Sequence, residues 1–175
     1  AIPEFSKQLH VVDSFKFPEY FDRYILADFG FTDNTHVLWC YWDFDRSKLV
    51  FYKELFINNI TTSKFASLFH PLEKECGTIN GVFINNSGMY SDNAPQELYD
   101  LSVDHNINFT PKREYDWLVS VNRARVFFSS GKIEIFSGCE NLVKQLQYGV
   151  RKKNKEDWER IEGLGHLDGI DAMRH

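Results

Sequence analysis

Cysteine is scarce in this 175-residue chain: Cys40, Cys76 and Cys139 are an odd set with no Cys-x-x-Cys pair, which excludes both a disulfide framework and a structural zinc site. A reducing compartment is expected. Apolar runs never approach the roughly 20 residues that a membrane span needs, and no charged-apolar-small leader opens the chain, so the expectation is a soluble, cytoplasmic protein without a membrane partner. A basic excess is missing as well. The formal charge of −5 argues against a protein that coats nucleic acid. It leaves room for a site that gathers carboxylates around metal ions while local Lys and Arg clusters meet phosphates.

Several reactive motifs are also absent. Without a Gly-x-x-x-x-Gly-Lys-Ser/Thr loop the chain is no ATP-driven motor, and Ser130-Gly131-Lys132 is too short a fragment to count. Without a Gly-x-Ser-x-Gly elbow, or a cysteine with an evident histidine partner, serine and cysteine hydrolases drop out. Asp28-Phe29-Gly30 has the form of the protein-kinase magnesium triplet, but no glycine-rich loop and no His-Arg-Asp accompany it.

What is present is apolar and aromatic: 43% of residues are hydrophobic and 16% aromatic, enough for one compact domain with a substantial core. The opening Ala1-Ile2-Pro3-Glu4-Phe5 reads as a candidate cloning remnant within a lead-in over 1–20, and 21–175 as the domain, excised from a longer chain. Residues 23–30 form an apolar run closing on an acid and a glycine, as a buried strand does at its exposed end. The runs 36–44 and 48–57 are two further strands, joined by a hairpin turn at Asp43-Phe44-Asp45-Arg46-Ser47.

The period then changes to helical over 62–75, with Thr61 and Thr62 as candidate N-caps. A strand within 79–92 leads to a helix beginning near Pro95. A short strand over 107–110, a helix over 115–128, a strand over 132–136 and a helix over 141–148 follow. Residues 151–155 make a basic loop or hairpin tip, and 167–175 a last helix. Strands in succession and then strands alternating with helices describe an α/β fold: a mixed central sheet, its first three strands antiparallel, flanked by helices.

Three acids close or open elements: Asp28 and Asp92 at strand ends, Asp171 in the first turn of the last helix. Carboxylates from separate elements suit a pair of hard Mg²⁺ or Mn²⁺ ions about 3.5–4 Å apart. Each also has a plainer reading. Asp28 ends a strand, Asp92 caps the helix containing Pro95, and Asp168 with Asp171 forms a relative of a capping box. Asp33 and Glu54 are outside candidates, read as solvated or structural, and His166 as an exposed loop residue. The basic residues fall into two groups, Lys112, Arg113, Arg123 and Arg125, and Arg151, Lys152, Lys153, Lys155 and Arg160. Their plain reading is solvated faces; the functional one is phosphate contact with duplex DNA lying between the groups, without sequence readout.

Taken in order, three motifs resemble one family. Arg23-Tyr24-Ile25-Leu26-Ala27-Asp28-Phe29-Gly30 is similar to the opening strand of the nuclease domain of the large terminase subunit of tailed bacteriophages. Tyr90-Ser91-Asp92-Asn93-Ala94-Pro95 resembles that family's second acidic strand end and the helix after it. Leu167-Asp168-Gly169-Ile170-Asp171-Ala172-Met173-Arg174-His175 resembles its final Asp-Ala-x-Arg-aromatic helix, with His175 where an aromatic such as Tyr is commoner. The resemblance implies a ribonuclease-H-like fold, with Asp28, Asp92 and Asp171 as catalytic metal ligands and Asp168 as a fourth ligand or a support. It further implies two divalent ions, Mg²⁺ or Mn²⁺, and cleavage of concatemeric double-stranded viral DNA during packaging. The implied partners are an N-terminal ATPase domain, the portal protein and the small terminase subunit, in the host cytoplasm. Two other readings share parts of this pattern: a ribonuclease-H-like resolvase or transposase core, separable by junction cleavage, and a catalytically silent DNA-binding or docking domain, separable by metal titration.

Overall fold

The computed structural model describes residues 2–30, 34–84, 94–111, 116–153, 157–161 and 167–174, with the side chains of Ala94 and Pro95 not included. Asp33, Asp92, Lys112, Arg113, Lys155, His166 and His175 lie outside them. In chain order the elements are α1 (Lys7–His10), β1 (Val11–Val12), β2 (Arg23–Asp28), β3 (Asn34–Asp43), β4 (Lys48–Asn58), α2 (Thr62–Cys76), β5 (Gly81–Ile84), α3 (Ala94–His105), β6 (Thr110–Pro111), α4 (Trp117–Ser129), β7 (Ile133–Phe136), α5 (Glu140–Tyr148) and α6 (Asp168–Arg174).

The strands form one seven-stranded sheet in the order β1-β7-β4-β3-β2-β5-β6. β2, β3 and β4 pair antiparallel, and the β1–β7, β4–β7, β2–β5 and β5–β6 pairs are parallel. This is the mixed sheet expected, with its three long antiparallel strands consecutive in the chain. The lead-in adds to it: β1 extends the edge beside β7, Ile2 is buried, and the buried His10 ring bonds the carbonyl of Phe128 at 3.0 Å.

β2 and β3 read as continuous apolar runs because both faces of the sheet are covered. Ile25, Ala27, Val37 and Trp39 pack on one side with Phe65 and Phe69 of α2 and Leu101 of α3. Leu26, Leu38 and Cys40 pack on the other with Val121 of α4, Leu142 of α5 and Ile170 of α6. Alternation along each strand thus assigns every residue to a face, and it puts Asp28 and His36, two residues on from Leu26 and before Leu38, on the α4–α5–α6 side.

Helix starts follow the cap chemistry. Thr61 accepts from the amide of Lys64 at 3.3 Å to open α2, and Asp116 accepts from Val119 at 3.0 Å to open α4. The strand expected over 107–110 is instead β6 at Thr110–Pro111. The cause is the end of α3: Asn106 takes a left-handed conformation at φ 53°, and the amide of Ile107 is spent on the carbonyl of Leu101 at 2.9 Å, so that residue seals the helix rather than joining the sheet.

Candidate metal centre

Asp28 is the last residue of β2 and only 7% exposed. Its predecessor Ala27 pairs with Ile84, the last residue of the parallel neighbour β5, so the carboxylate sits where two parallel strands end together, the place where open α/β sheets carry their sites. The chain beyond Ile84 runs into 85–93, with Asp92, outside the described residues. α6, which carries Asp168 and Asp171, packs on β2 and β3. Among the described residues no three His, Cys, Asp or Glu side chains converge closely enough to hold a metal ion. Asp28 and the two α6 acids are therefore brought to one sheet face, and the remaining acid of the expected set falls outside.

Asp171 is held by other side chains and does not cap a helix. Its Oδ1 accepts from Nε1 of the buried Trp158 at 3.0 Å and from Nε of Arg174 at 2.6 Å, and the Arg174 guanidinium also donates to Ser120 Oγ at 2.5 Å. Trp117 completes the surround, 5.1 Å from Trp158, with Arg151 and Arg174 over its ring at 4.8 and 5.8 Å. Burial pushes the Asp171 carboxyl above the usual carboxylate range against the pull of Arg174 and Trp158. Both bonds fall on Oδ1, so Oδ2 keeps its acceptor capacity. A donor set of carboxylates, one at a strand end and two on a facing helix, fits hard divalent ions, and a cation is what keeps a buried carboxylate charged.

Beneath the first turn of α6 lies a polar network that sequence spacing does not assemble. Glu54 of β4, whose side chain is 6% exposed, accepts at Oε1 from the amide of Asn141 at 2.7 Å and its Nδ2 at 3.1 Å. At Oε2 it accepts from the amide of Leu142 at 3.0 Å and meets Nε2 of His36 at 2.9 Å. Cys139, the N-cap of α5, makes no side-chain capping bond, so a carboxylate from the sheet does the capping. Burial works to raise the Glu54 pKa, but His36 and the two α5 amides outweigh it and hold the group below the ordinary carboxylate range. Glu54 is thus structural, one of the two roles expected of it.

Six of the expected basic residues, Arg123, Arg125, Arg151, Lys152, Lys153 and Arg160, lie among the described residues. Arg123 and Arg125, two apart on α4, are exposed but point to different sides of the helix, and Arg125 pairs with Glu4 at 2.6 Å. Arg151 and Trp158 form an antiparallel bridge, with Lys152 half-buried and paired to Asp157 and Lys153 exposed; 154–156, where the expected hairpin tip falls, lie outside the described residues. The three cysteines are free and buried, and burial pushes the Cys139 thiol up, which leaves no thiol nucleophile.

No family model matches this sequence, and no curated protein does either. Solved structures match by shape. The P22 large terminase nuclease domain superposes with a TM-score of 0.74 at 14% identity, over 99% of this chain and 88% of that one. The large terminase nuclease of thermophilic phage G20c, solved with bound magnesium, gives 0.66 at 15%, over 99% and 93%. The SPP1 large terminase nuclease domain, solved with bound Mn, gives 0.65 at 14%, over 94% and 92%. Against the large terminase of another thermophilic bacteriophage the TM-score is 0.71 at 16% identity, and the chain spans 43% of that protein. Sheet order, helix placement and this end-to-end correspondence give the chain the ribonuclease-H-like fold of phage large-terminase nuclease domains.

Proposed function

We propose that this chain is a metal-dependent endonuclease domain of the large-terminase type, which cuts concatemeric double-stranded viral DNA as a genome is packaged. The observation that carries the reading is the juxtaposition of Asp28, at the shared end of β2 and β5, with the α6 acids, in a fold matching terminase nucleases along its whole length. Neighbours with that fold hold Mn or magnesium.

On this reading Asp28, Asp92 and Asp171 hold two Mg²⁺ or Mn²⁺ ions, with Asp168 as a fourth ligand or support. Ions bound there supply an activated water and stabilise the leaving oxygen. Arg174 and Trp158 fix the Asp171 carboxylate through Oδ1 and leave its other oxygen for the site. The phosphate-contacting residues are Lys112, Arg113, Arg123, Arg125, Arg151, Lys152, Lys153 and Lys155. The partners are duplex DNA, an N-terminal ATPase domain, the portal and the small terminase subunit, met in the host cytoplasm.

Supercoiled plasmid incubated with Mn²⁺, Mg²⁺ or EDTA tests the activity. Nicking and linearisation with metal and none with EDTA are expected; a folded protein that never cuts in either metal contradicts the reading. Reversing charge at Lys152 and Lys153 together tests the DNA face. Every phosphate that the variant no longer neutralises should flatten the slope of log affinity against log salt by about 0.9. Affinity and slope equal to wild type would remove these lysines from the interface.

A further inference from the structure

The ring of His36 lies between the strand-end acid and the helix that carries the other two. His36 is directly opposite Asp28 in the β2–β3 register, so the two side chains leave the same face of the sheet, with Cβ atoms about 5 Å apart. His36 is wholly buried. Its Nε2 donates to Glu54, a carboxylate that can only accept, and Glu54 is itself locked by the two α5 amides.

On the other side the ring meets α6 at Gly169. A Cβ there would lie 2.4 Å from both Cε1 and Nδ1 of His36 and 2.7 Å from Oε1 of Gln145, closer than real atoms approach. Gln145 of α5 in turn accepts from the Gly169 amide at 2.9 Å, so α5 holds both ends of this arrangement. His36 Nδ1 is buried with no hydrogen-bond partner. Buried ring nitrogens seldom go unpaired, and this one does so where the ring abuts the helix. A glycine in the first turn of a helix gives up helix propensity, and what it gains here is contact with the ring.

We propose that His36 and Glu54 are positioning residues which, with Gly169, set how closely α6 approaches the sheet and so where Asp168 and Asp171 stand relative to Asp28. The proposal rests on the nuclease reading only for what those acids do. The seating of α6 is a property of the protein without metal. A purely space-filling histidine would affect stability, whereas a positioning one also governs metal affinity and turnover in protein that remains folded.

The test compares wild type, Gly169→Ala, the double variant Gly169→Ala with His36→Ala, and the isosteric Glu54→Gln. Four quantities are read: thermal midpoint, hydrogen exchange of α6 amides without metal, Mn²⁺ affinity by calorimetry, and kcat and KM for plasmid cleavage. In folded Gly169→Ala, Mn²⁺ binding should weaken about tenfold and kcat fall about a hundredfold with KM for DNA unchanged, the scale on which supports of metal ligands and ångström displacements act. The double variant removes the clash and should recover much of both. Glu54→Gln should speed α6 exchange and weaken Mn²⁺ binding. Gly169→Ala with exchange, Mn²⁺ affinity and kcat all within twofold of wild type overturns the proposal. Should Gly169→Ala not fold, Glu54→Gln decides by exchange and Mn²⁺ affinity. Should wild type neither bind Mn²⁺ nor cut, the nuclease reading fails, and α6 exchange alone decides: faster in the single variants and restored in the double supports the positioning role, unchanged refutes it.

Discussion

Asp28→Asn is expected to abolish metal-dependent cleavage without unfolding the protein. The substitution keeps shape and volume at a residue 7% exposed on a strand buried on both faces, so packing is preserved. What disappears is the negative charge, and an amide oxygen is a poor substitute for a carboxylate on a hard divalent ion. The loss of kcat should exceed about a hundredfold, more than follows from removing only a support of a ligand. Stability should hold or rise in the absence of metal, since gathering carboxylates on one face costs the metal-free fold energy that function requires. Plasmid cleavage beside a thermal midpoint reads both effects. A variant that cuts like wild type would take Asp28 out of the site.

The largest stability effect is expected from Glu54→Ala. The substitution leaves His36 and the amides of Asn141 and Leu142 without their acceptor in a dry environment. Buried donors left unsatisfied cost about 1–3 kcal/mol each, and over three donors the lower part of that range comes to about 3–5 kcal/mol. In a domain of this size each kcal/mol lowers the midpoint by about 2–4 °C, so the drop should be roughly 6–20 °C. The effect has a pH signature. The folded-state pKa of Glu54 is depressed, so its contribution is fully present above the unfolded carboxylate value of about 4.3 and disappears as pH falls through the folded value. The gap between wild type and Glu54→Ala should therefore be widest near neutrality and close in acid. A gap that stays constant down to about pH 3, below the unfolded carboxylate value, would mean that Glu54 acts by packing and not as an ionised acceptor.

Much of the fold is legible in the sequence because it is written locally. The strands β2, β3 and β4 are apolar runs bounded by turn residues, and α2 begins at the threonine that caps it. β6 lies later than its apolar pattern suggests because a helix-sealing isoleucine and a strand isoleucine look alike, and only the left-handed Asn106 distinguishes them. β1 cannot be read at all, since a two-residue parallel edge strand has no periodicity.

The site divides in the same way. Asp28 announces itself as an acid ending an apolar strand. His36 with Glu54, and Trp158 with Asp171, are separated by 18 and 13 residues and meet only through the tertiary fold. Faint signals are nonetheless there: a histidine and a glutamate within largely apolar strands, a helix opening after a cysteine that cannot cap it, and a glycine between Asp168 and Ile170 where any better helix former would serve unless space were the constraint.

The most direct test of the central claim is an anomalous difference map from crystals of this chain soaked in Mn²⁺. Two peaks about 3.5–4 Å apart, bounded by Asp28, Asp92 and Asp171, are the expected result. A map with Mn²⁺ absent from the end of β2, or bound only at surface carboxylates elsewhere, would contradict the account and leave a terminase-like fold without its metal centre.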